Sequence, residues 1–327
     1  MPRRKTKRTT PAITTLWYDM EGQATAFIDI ARDLSMANRR TYSQGRHYGI
    51  ESIEFDFIEN IANIDTLYCS VATAGSSWIS NNAWVKGKAL WDQMNDLVLE
   101  DNPSVQGKWA DFKIQLTSDM ARGTYPILVP GQRAAEYTLN PVNQDWEYST
   151  FVMPQHTVDP VTGDPLPAVE VTAHFVGDDT DPVLATGSSV SLIKAYAQSR
   201  ASVQMDSPEV PAGMSESFFN LLTDSGSQEP ELADVIEDEN DQPPYDYLNY
   251  PQGDTLCPVP VMKETGIAST THPQGYLTPF VAECGLMQIT FGATLGGVAA
   301  TLPAALRFKV KVMTGDYKGV ASLPMGQ

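Results

Sequence analysis

Positive charge is scarce in this sequence: 22 lysines and arginines stand against 40 aspartates and glutamates, which gives a formal net charge of −18. A body this acidic repels nucleic acid at long range, so a polyanion can be held only where basic residues are concentrated. Long apolar runs are also absent, because no stretch approaches the roughly 18 consecutive residues of a membrane-spanning helix. No apolar run follows the basic start, so we expect no secretory signal peptide.

Cysteine is rare as well. Cys69, Cys257 and Cys284 are odd in number and far apart, and none belongs to a C-x-x-C pattern. We expect buried, reduced thiols in a protein that is assembled inside a cell.

Catalytic motifs are missing too. The four histidines (His47, His156, His174 and His272) lie in unrelated contexts, and none forms an H-x-x-x-H or H-x-E pattern. There is no G-x-S-x-G motif and no phosphate-binding G-x-x-x-x-G-K-[ST] motif. Asp224-Ser225-Gly226 matches one half of an aspartic-protease site, but that chemistry needs a second carboxylate, and no second D-[ST]-G exists. We therefore predict a protein that is not an enzyme and needs no cofactor.

Loop carboxylates offer the only metal-binding pattern. Asp178, Asp179 and Asp181 cluster in one short stretch, and Asp159 and Asp164 flank a turn. Such residues can hold Ca²⁺ between subunits, although their spacing does not match an EF-hand. We expect solvated loop acids, with an interface Ca²⁺ as the alternative.

The positive charge that is present gathers at the start of the chain. Five of the first eight residues are cationic, namely Arg3, Arg4, Lys5, Lys7 and Arg8. The composition of residues 1–12 predicts a disordered basic arm. Its contacts with phosphates would be blind to sequence and strongly weakened by salt. A nuclear-import signal would use the same charges.

Alternating apolar residues predict that the rest of the chain is mostly β-strand. The clearest case is 48–60, where Ile53, Phe55 and Phe57 share one face. We expect the segment 65–74 to pair with it through a hairpin at 60–65. Helical spacing over about 81–100 predicts one inserted long helix, capped by Ser80 or Asn81. Further strands are predicted at 24–34, 109–117, 145–153, 168–177, 255–263, 276–285, 285–294 and 305–315, and shorter helical segments at 34–45 and 188–203.

This pattern favours an all-β fold, an antiparallel jelly-roll sandwich with long loops. We predict one domain over residues 13–327. Within it, residues 206–254 form an acidic exposed loop, because eight acidic residues and no basic one lie between Glu229 and Asp246.

The first third of the chain resembles the capsid proteins of small circular single-stranded DNA viruses, especially the smacovirus-like group and its environmental relatives. The residues that carry the resemblance are Leu34-Ser35, Asn38-Arg39-Arg40, Tyr42, Gln44-Gly45, Tyr48, Trp78, Asn82-Ala83-Trp84 and Trp91.

The resemblance implies a jelly-roll subunit, an icosahedral shell of about 60 copies, and an interior basic N-terminus that meets a circular single-stranded DNA genome. About 60 arms would supply roughly 300 positive charges, too few to balance a genome of a few kilobases. We therefore add Arg39, Arg40 and Arg46 as nucleic-acid-binding residues, with Lys86 and Lys88 as further inward-facing cations. For Arg39 and Arg40 an ordinary subunit salt bridge is the alternative.

The predicted function is therefore that of a self-assembling capsid protein, located in the virion, assembled inside the host cell or its nucleus, and bound to an unknown host receptor but no membrane. The alternative is a non-viral β-sandwich module that binds carbohydrate or a host surface. That module would use loop aromatics such as Tyr245, Tyr247 and Tyr250.

Overall fold

The structure is a computed structural model that describes residues 12–21, 23–56, 64–105, 111–131, 146–153, 169–179, 188–199, 260–303 and 305–326. The predicted acidic loop at 206–254 and all of the basic arm except residue 12 lie outside these ranges. Residue contacts divide the chain into two compact units. Unit 1 comprises Met1–Val71, Ile127–Gln144 and Met262–Pro324, and unit 2 comprises Ala72–Pro126, Asp145–Val261 and Met325–Gln327. The single domain over 13–327 stays a prediction.

The described residues are mostly β-strand with a few helices. The strands are β1 (Thr15–Glu21), β2 (Thr25–Asp29), β3 (Arg46–Asp56), β4 (Thr66–Thr73), β5 (Thr150–Met153), β6 (Val169–His174), β7 (Ser189–Ser191), β8 (Val261–Ser269), β9 (Gln274–Leu277), β10 (Phe280–Ala282), β11 (Leu286–Leu295), β12 (Val298–Ala300), β13 (Ala305–Val312), β14 (Thr314–Gly315), β15 (Gly319–Val320) and β16 (Ser322–Pro324). The helices are α1 (Ile30–Asn38), α2 (Trp78–Asp101), α3 (Ser118–Arg122) and α4 (Leu192–Ser199).

Unit 1 is built on two sheets whose inner faces share one core. Sheet A has the order β1-β13-β3-β10, with β9 and β16 also paired to β3. Sheet B has the order β12-β11-β4-β8, with β2 also paired to β11. Phe55 and Phe308 of sheet A lie 5.5 Å and 5.4 Å, between ring centroids, from Phe291 of sheet B. The predicted all-β class with antiparallel sheets is confirmed at this level.

Strand β3 forms where the alternation predicted it. Ile53 and Phe55 are buried, whereas Asp56 is exposed and Glu54 is half-buried on the opposite face. Antiparallel pairing sets Phe308 against Phe55 and Lys309 against Glu54, so both neighbours send alternate side chains to the same faces.

The predicted hairpin between β3 and β4 is wrong. β3 belongs to sheet A, whereas β4 lies between β11 and β8 in sheet B. The two strands follow each other in the chain and each has one buried face, but these faces cover opposite sides of the same core. The alternation of apolar residues identifies the buried face of each strand, but it does not determine which other strand pairs with it.

The predicted strand over 24–34 ends early because a side chain caps a helix. The carboxylate of Asp29 accepts a hydrogen bond from the backbone N–H of Arg32 at 3.1 Å, and α1 begins at Ile30. The helix ends at Asn38 with Arg39 in the left-handed conformation, not at Gly45 as predicted.

Unit 2 contains the long predicted helix and a small sheet. α2 begins after Ser77, whose hydroxyl accepts from the N–H of Ser80, so the predicted caps Ser80 and Asn81 are wrong by three residues or more. Strands β5, β6 and β7 form the sheet, in which β6 and β7 are parallel. The predicted strand at 109–117 forms an isolated bridge from Gln115 to His174 within the described residues.

Aromatic rings fill the core of unit 2. Phe112 lies within 6.1 Å of the rings of Trp84, Trp91 and Phe151, and Trp78 lies edge-on to Tyr196. The tryptophans of α2 therefore pack against other rings of unit 2.

Two further expectations concern cysteines and membranes. Cys69 and Cys284 are buried free thiols, and burial raises the pKa of the Cys69 thiol well above its usual range. Cys257 lies outside the described residues. Among the helices of the described chain, none is both long enough and apolar enough to cross a bilayer.

Candidate nucleic-acid interface

The C-terminal end of α1 presents two arginines to solvent. Arg39 is the C-cap, with φ of 50°, and its N–H donates to the carbonyl of Ser35. A cation at this position also faces the negative end of the helix dipole. Arg39 and Arg40 are both exposed. Within the described part of the chain neither guanidinium forms an ion pair, and the alternative of a subunit salt bridge stays a prediction.

A lysine from the other end of the chain lies beside α1. Lys318 sits in the turn between β14 and β15 and also has a positive φ, of 53°. Its Nζ donates to the carbonyl of Thr41 and lies 5.7 Å and 5.2 Å from the ring centroids of Tyr42 and Tyr317. The hydroxyl of Tyr42 donates in turn to the carbonyl of Lys318 at 3.0 Å.

Arg46 completes this group. Its guanidinium carbon lies 3.8 Å from the centroid of the Tyr317 ring, a close cation–π contact. Its Nε and Nη2 donate to the hydroxyl and the carbonyl of Ser322 at 2.8 Å and 3.0 Å. We call the whole group the basic cluster: Arg39, Arg40, Tyr42, Arg46, Tyr317 and Lys318.

Strain and burial both single out the basic cluster. Only three non-glycine residues of the described chain have positive φ, and two of them are Arg39 and Lys318. Such backbone conformations concentrate at functional sites. Burial raises the pKa of the Tyr42 hydroxyl, and nearby Arg40 opposes that rise. One exposed acid, Asp316, lies in the same turn as Lys318.

The base of the N-terminal arm is fixed next to the basic cluster. The N–H of Ile13 donates to the side chain of Asn38 at 2.7 Å, and the Asn38 amide donates back to the Ile13 carbonyl at 3.0 Å. Ala12 lies so close to Gly319 that a Cβ added there would meet it at 2.6 Å. The chain therefore enters its arm between Arg39 and Lys318.

The sequence predictions for this site divide into three groups. Arg3, Arg4, Lys5, Lys7 and Arg8 lie outside the described residues. Arg39, Arg40 and Arg46 come together in the basic cluster.

Lys86 and Lys88 belong to unit 2 and have local partners. The Lys86 ammonium lies 3.2 Å from the hydroxyl of Ser199 and 5.1 Å from the ring of Tyr196. Lys88 pairs with Asp92, four residues along α2.

Sequence reasoning missed Tyr317 and Lys318. They lie more than 270 residues from Tyr42 and Arg46, and the local sequence GDYKGV is typical only of a turn. The contact that brings them to the site depends on the pairing of β16 with β3.

The carboxylates proposed for a metal have other partners or lie outside the described residues. Lys194 contacts Asp178 at 2.6 Å and Asp179 at 3.1 Å, and the N–H of Ser191 donates to Asp179 at 2.7 Å. Asp159, Asp164 and Asp181 are not described. No group of three metal-binding side chains occurs among the described residues.

The basic cluster can therefore bind phosphates through four cations, with the half-buried ring of Tyr317 beside them. No protein-family model, curated protein or solved structure matches this chain.

Proposed function

We propose that this chain is a viral capsid protein. It assembles with about 60 copies of itself into an icosahedral shell and encloses a circular single-stranded DNA genome. Its function is structural and needs no enzyme chemistry or cofactor, although Ca²⁺ at subunit contacts is compatible with it. The proposed location is the virion, and the partners are other copies, the genome and a host receptor.

The strand order of unit 1 supports a jelly roll. Along the chain, β1 and β3 lie in sheet A, while β2 and β4 lie in sheet B. The later strands continue as β8 in sheet B, β9 and β10 in A, β11 in B and β13 in A. Eight positions that change sheet at every step except from β4 to β8, in two facing antiparallel sheets, are typical of the two Greek keys of a jelly roll.

The observation that carries the packaging proposal is the convergence of positive charge. Residues 12 and 13 contact Gly319 and Asn38 beside the basic cluster, so the arm with its five cations joins the chain next to four further cations, in a chain of net charge −18. Arg46 and Lys318 lie against tyrosine rings, an arrangement suited to single-stranded nucleic acid.

The positive charges of the arm and the basic cluster together neutralise only part of the charge of the genome. Nine cations in about 60 copies supply roughly 540 charges, still fewer than the phosphates of a genome of a few kilobases. Mobile cations must neutralise the remainder.

Deletion of residues 2–8 tests the proposal. We expect shells without packaged DNA, seen as a megadalton peak on a sizing column with the absorbance ratio of bare protein. Arg307→Glu, which changes charge away from the basic cluster, serves as the control and should still package. If the deletion variant packages as well as the unaltered protein, the arm has no role. If the unaltered protein elutes near its monomer mass of 35.8 kDa, the alternative of a small binding module gains support.

A further inference from the structure

A second site lies at the far end of β3 from the basic cluster. Four outward-facing side chains form a square there, because register sets Glu54 opposite Tyr276 and Asp56 opposite Gln274. Together with Ser52 they line an open groove of about 190 Å³. Arg46 begins β3 and Asp56 ends it, so these two residues are about 33 Å apart along the strand.

Tyr276 is unusually exposed for an aromatic residue in a sheet. Its exposed fraction is 67%, the largest of any tyrosine, tryptophan or phenylalanine in the described part of the chain. A tyrosine ring held out from a rigid strand offers a flat apolar surface with a polar tip and loses little entropy when it is covered.

Glu54 is an acceptor whose charge is already balanced. Its Oε2 lies 2.6 Å from Lys309 Nζ, and its Oε1 accepts from the hydroxyl of Ser52 at 3.2 Å. Lys309 also lies 5.6 Å from the ring of Trp17. A row across four strands therefore runs Trp17, Lys309, Glu54, Tyr276.

The charges around this groove restrict the classes of ligand that it can bind. Asp56 adds a negative charge, so phosphates and acidic sugars are repelled. Because Lys309 neutralises Glu54, the attraction for a cation is that of one exposed carboxylate, which is weak in water. The remaining chemistry is a flat apolar surface ringed by an amide, a hydroxyl and two carboxylate acceptors. That combination suits a neutral ligand with one apolar face and a rim of hydroxyl donors.

The geometry points to a carbohydrate-binding site for one neutral sugar ring. The ring stacks its C–H face on Tyr276, and its hydroxyls donate to Glu54 and Asp56 and accept from Gln274. The groove is smaller than the roughly 300–1,000 Å³ of sites for drug-sized ligands, which matches a single ring. This assignment is independent of the proposed packaging function.

A site of this size binds weakly as a monomer. We expect a dissociation constant in the millimolar range for one ring. In a shell with many copies, repeated weak contacts with a glycosylated surface would combine into strong attachment. Only this gain from many copies rests on the proposed function.

Saturation-transfer NMR with the full chain tests the site. The probes are the methyl glycosides of galactose, glucose and N-acetylglucosamine, with sialic acid, deoxyguanosine monophosphate and a trilysine peptide as competitors of other chemistry. We expect binding of at least one neutral glycoside. Tyr276→Ala should weaken it by about tenfold or more, and Tyr276→Phe, which keeps the ring, by about threefold or less. Tyr68→Ala removes an exposed tyrosine of sheet B and should leave binding unchanged.

Three results would overturn the assignment. The first is that no neutral glycoside binds the unaltered protein. The second is that Tyr68→Ala weakens binding as much as Tyr276→Ala does. The third is that the nucleotide or the peptide binds more tightly than every glycoside. Because assembly and packaging are measured separately, loss of sugar binding would leave the proposed capsid function standing.

Discussion

The two ends of β3 use the same kinds of side chain in opposite ways. At the Arg46 end, cations lie against tyrosine rings and backbone carbonyls. At the Asp56 end, Lys309 pairs with Glu54, and Arg307 pairs with Asp19 at 2.5 Å. An aromatic ring does not neutralise the charge of a neighbouring cation, so that cation can still attract a phosphate. A carboxylate does neutralise it, so a cation paired with a carboxylate attracts a phosphate much less. The side chains that contact each cation, more than the number of cations, decide which end of β3 can bind nucleic acid.

The largest expected effect is on the pH dependence of stability, and it comes from the buried core that lies between the two ends. Helix α1, which leads into the basic cluster, contains the fully buried Asp33, which accepts from the Tyr18 hydroxyl and pairs with Arg32. Burial raises its pKa from 3.8 to about 7. The folded state thus holds this proton more tightly than the unfolded state. The free energy of unfolding should fall by on the order of 4 kcal/mol as the pH rises from about 4 to about 7, and stay level above that.

Urea unfolding at a series of pH values measures this effect. Asp33→Asn should flatten the fall, because the amide cannot titrate. Tyr18→Phe should deepen the fall and extend it to higher pH, because the lost hydrogen bond favoured the charged carboxylate and its loss raises the folded-state pKa further. An unchanged slope in Asp33→Asn would assign the pH dependence to another group.

The next largest effect is the loss of stability when a glycine of the sheet is replaced by alanine, and this loss should differ between the two ends of β3. A Cβ on Gly275, at the Asp56 end, would lie 2.2 Å from the core ring of Phe55. We expect Gly275→Ala to lower the free energy of unfolding by about 1–3 kcal/mol. Gly49→Ala is the matched change at the Arg46 end, where the new atom meets the flexible side chain of Met313, and it should cost less. Equal losses by urea denaturation would contradict the comparison.

Charge reversal tests the difference in nucleic-acid binding. Arg40→Glu should weaken binding to single-stranded DNA by about tenfold and reduce the slope of log K against log salt by about 0.7 for each lost phosphate contact. Arg307→Glu makes the same charge change at a cation paired with Asp19, and should alter affinity and slope much less. Fluorescence anisotropy with an oligothymidine measures both. Similar losses in the two variants would show that only total charge matters.

The smallest expected effect concerns the ring beneath the cations. Tyr317→Leu keeps an apolar side chain but removes the cation–π contacts of Arg46 and Lys318. We expect a loss of about 0.5–1 kcal/mol in the free energy of unfolding. Tyr276→Leu, at the other end, should change stability by less, because the Tyr276 ring is largely exposed. The reverse order would show that the rings of the basic cluster carry no stabilising contact.

Local patterns predicted the parts of the fold that local physics decides. The alternation of Ile53 and Phe55 with Glu54 gave the faces of β3, and helical spacing gave α2. Sheet membership was not predictable in this way, because the partners of β3 come from residues more than 200 positions away. The break at Asp29 was missed because a carboxylate can cap a helix in the middle of an alternating run.

Only part of the basic cluster could be predicted, because only some of its residues are close together in the sequence. Arg39, Arg40 and Arg46 are close in sequence, and a concentration of cations in an acidic chain is visible by inspection. Lys318 and Tyr317 reach them through the long-range pairing of β16 with β3. The groove at Glu54 and Tyr276 was missed because its two strands are more than 200 residues apart.

The path of the chain between the two units has a consequence for synthesis and degradation. The polypeptide passes from one unit to the other at five points, after Val71, Pro126, Gln144, Val261 and Pro324. A single protease cut between Ala72 and Pro324 therefore yields fragments that each hold pieces of both units, and releases neither unit intact. The last crossing returns Met325 to unit 2, where it is buried and the N–H of Gly326 donates to Asn81 at 3.4 Å. During synthesis, neither unit is complete before Pro324 has been added to the chain.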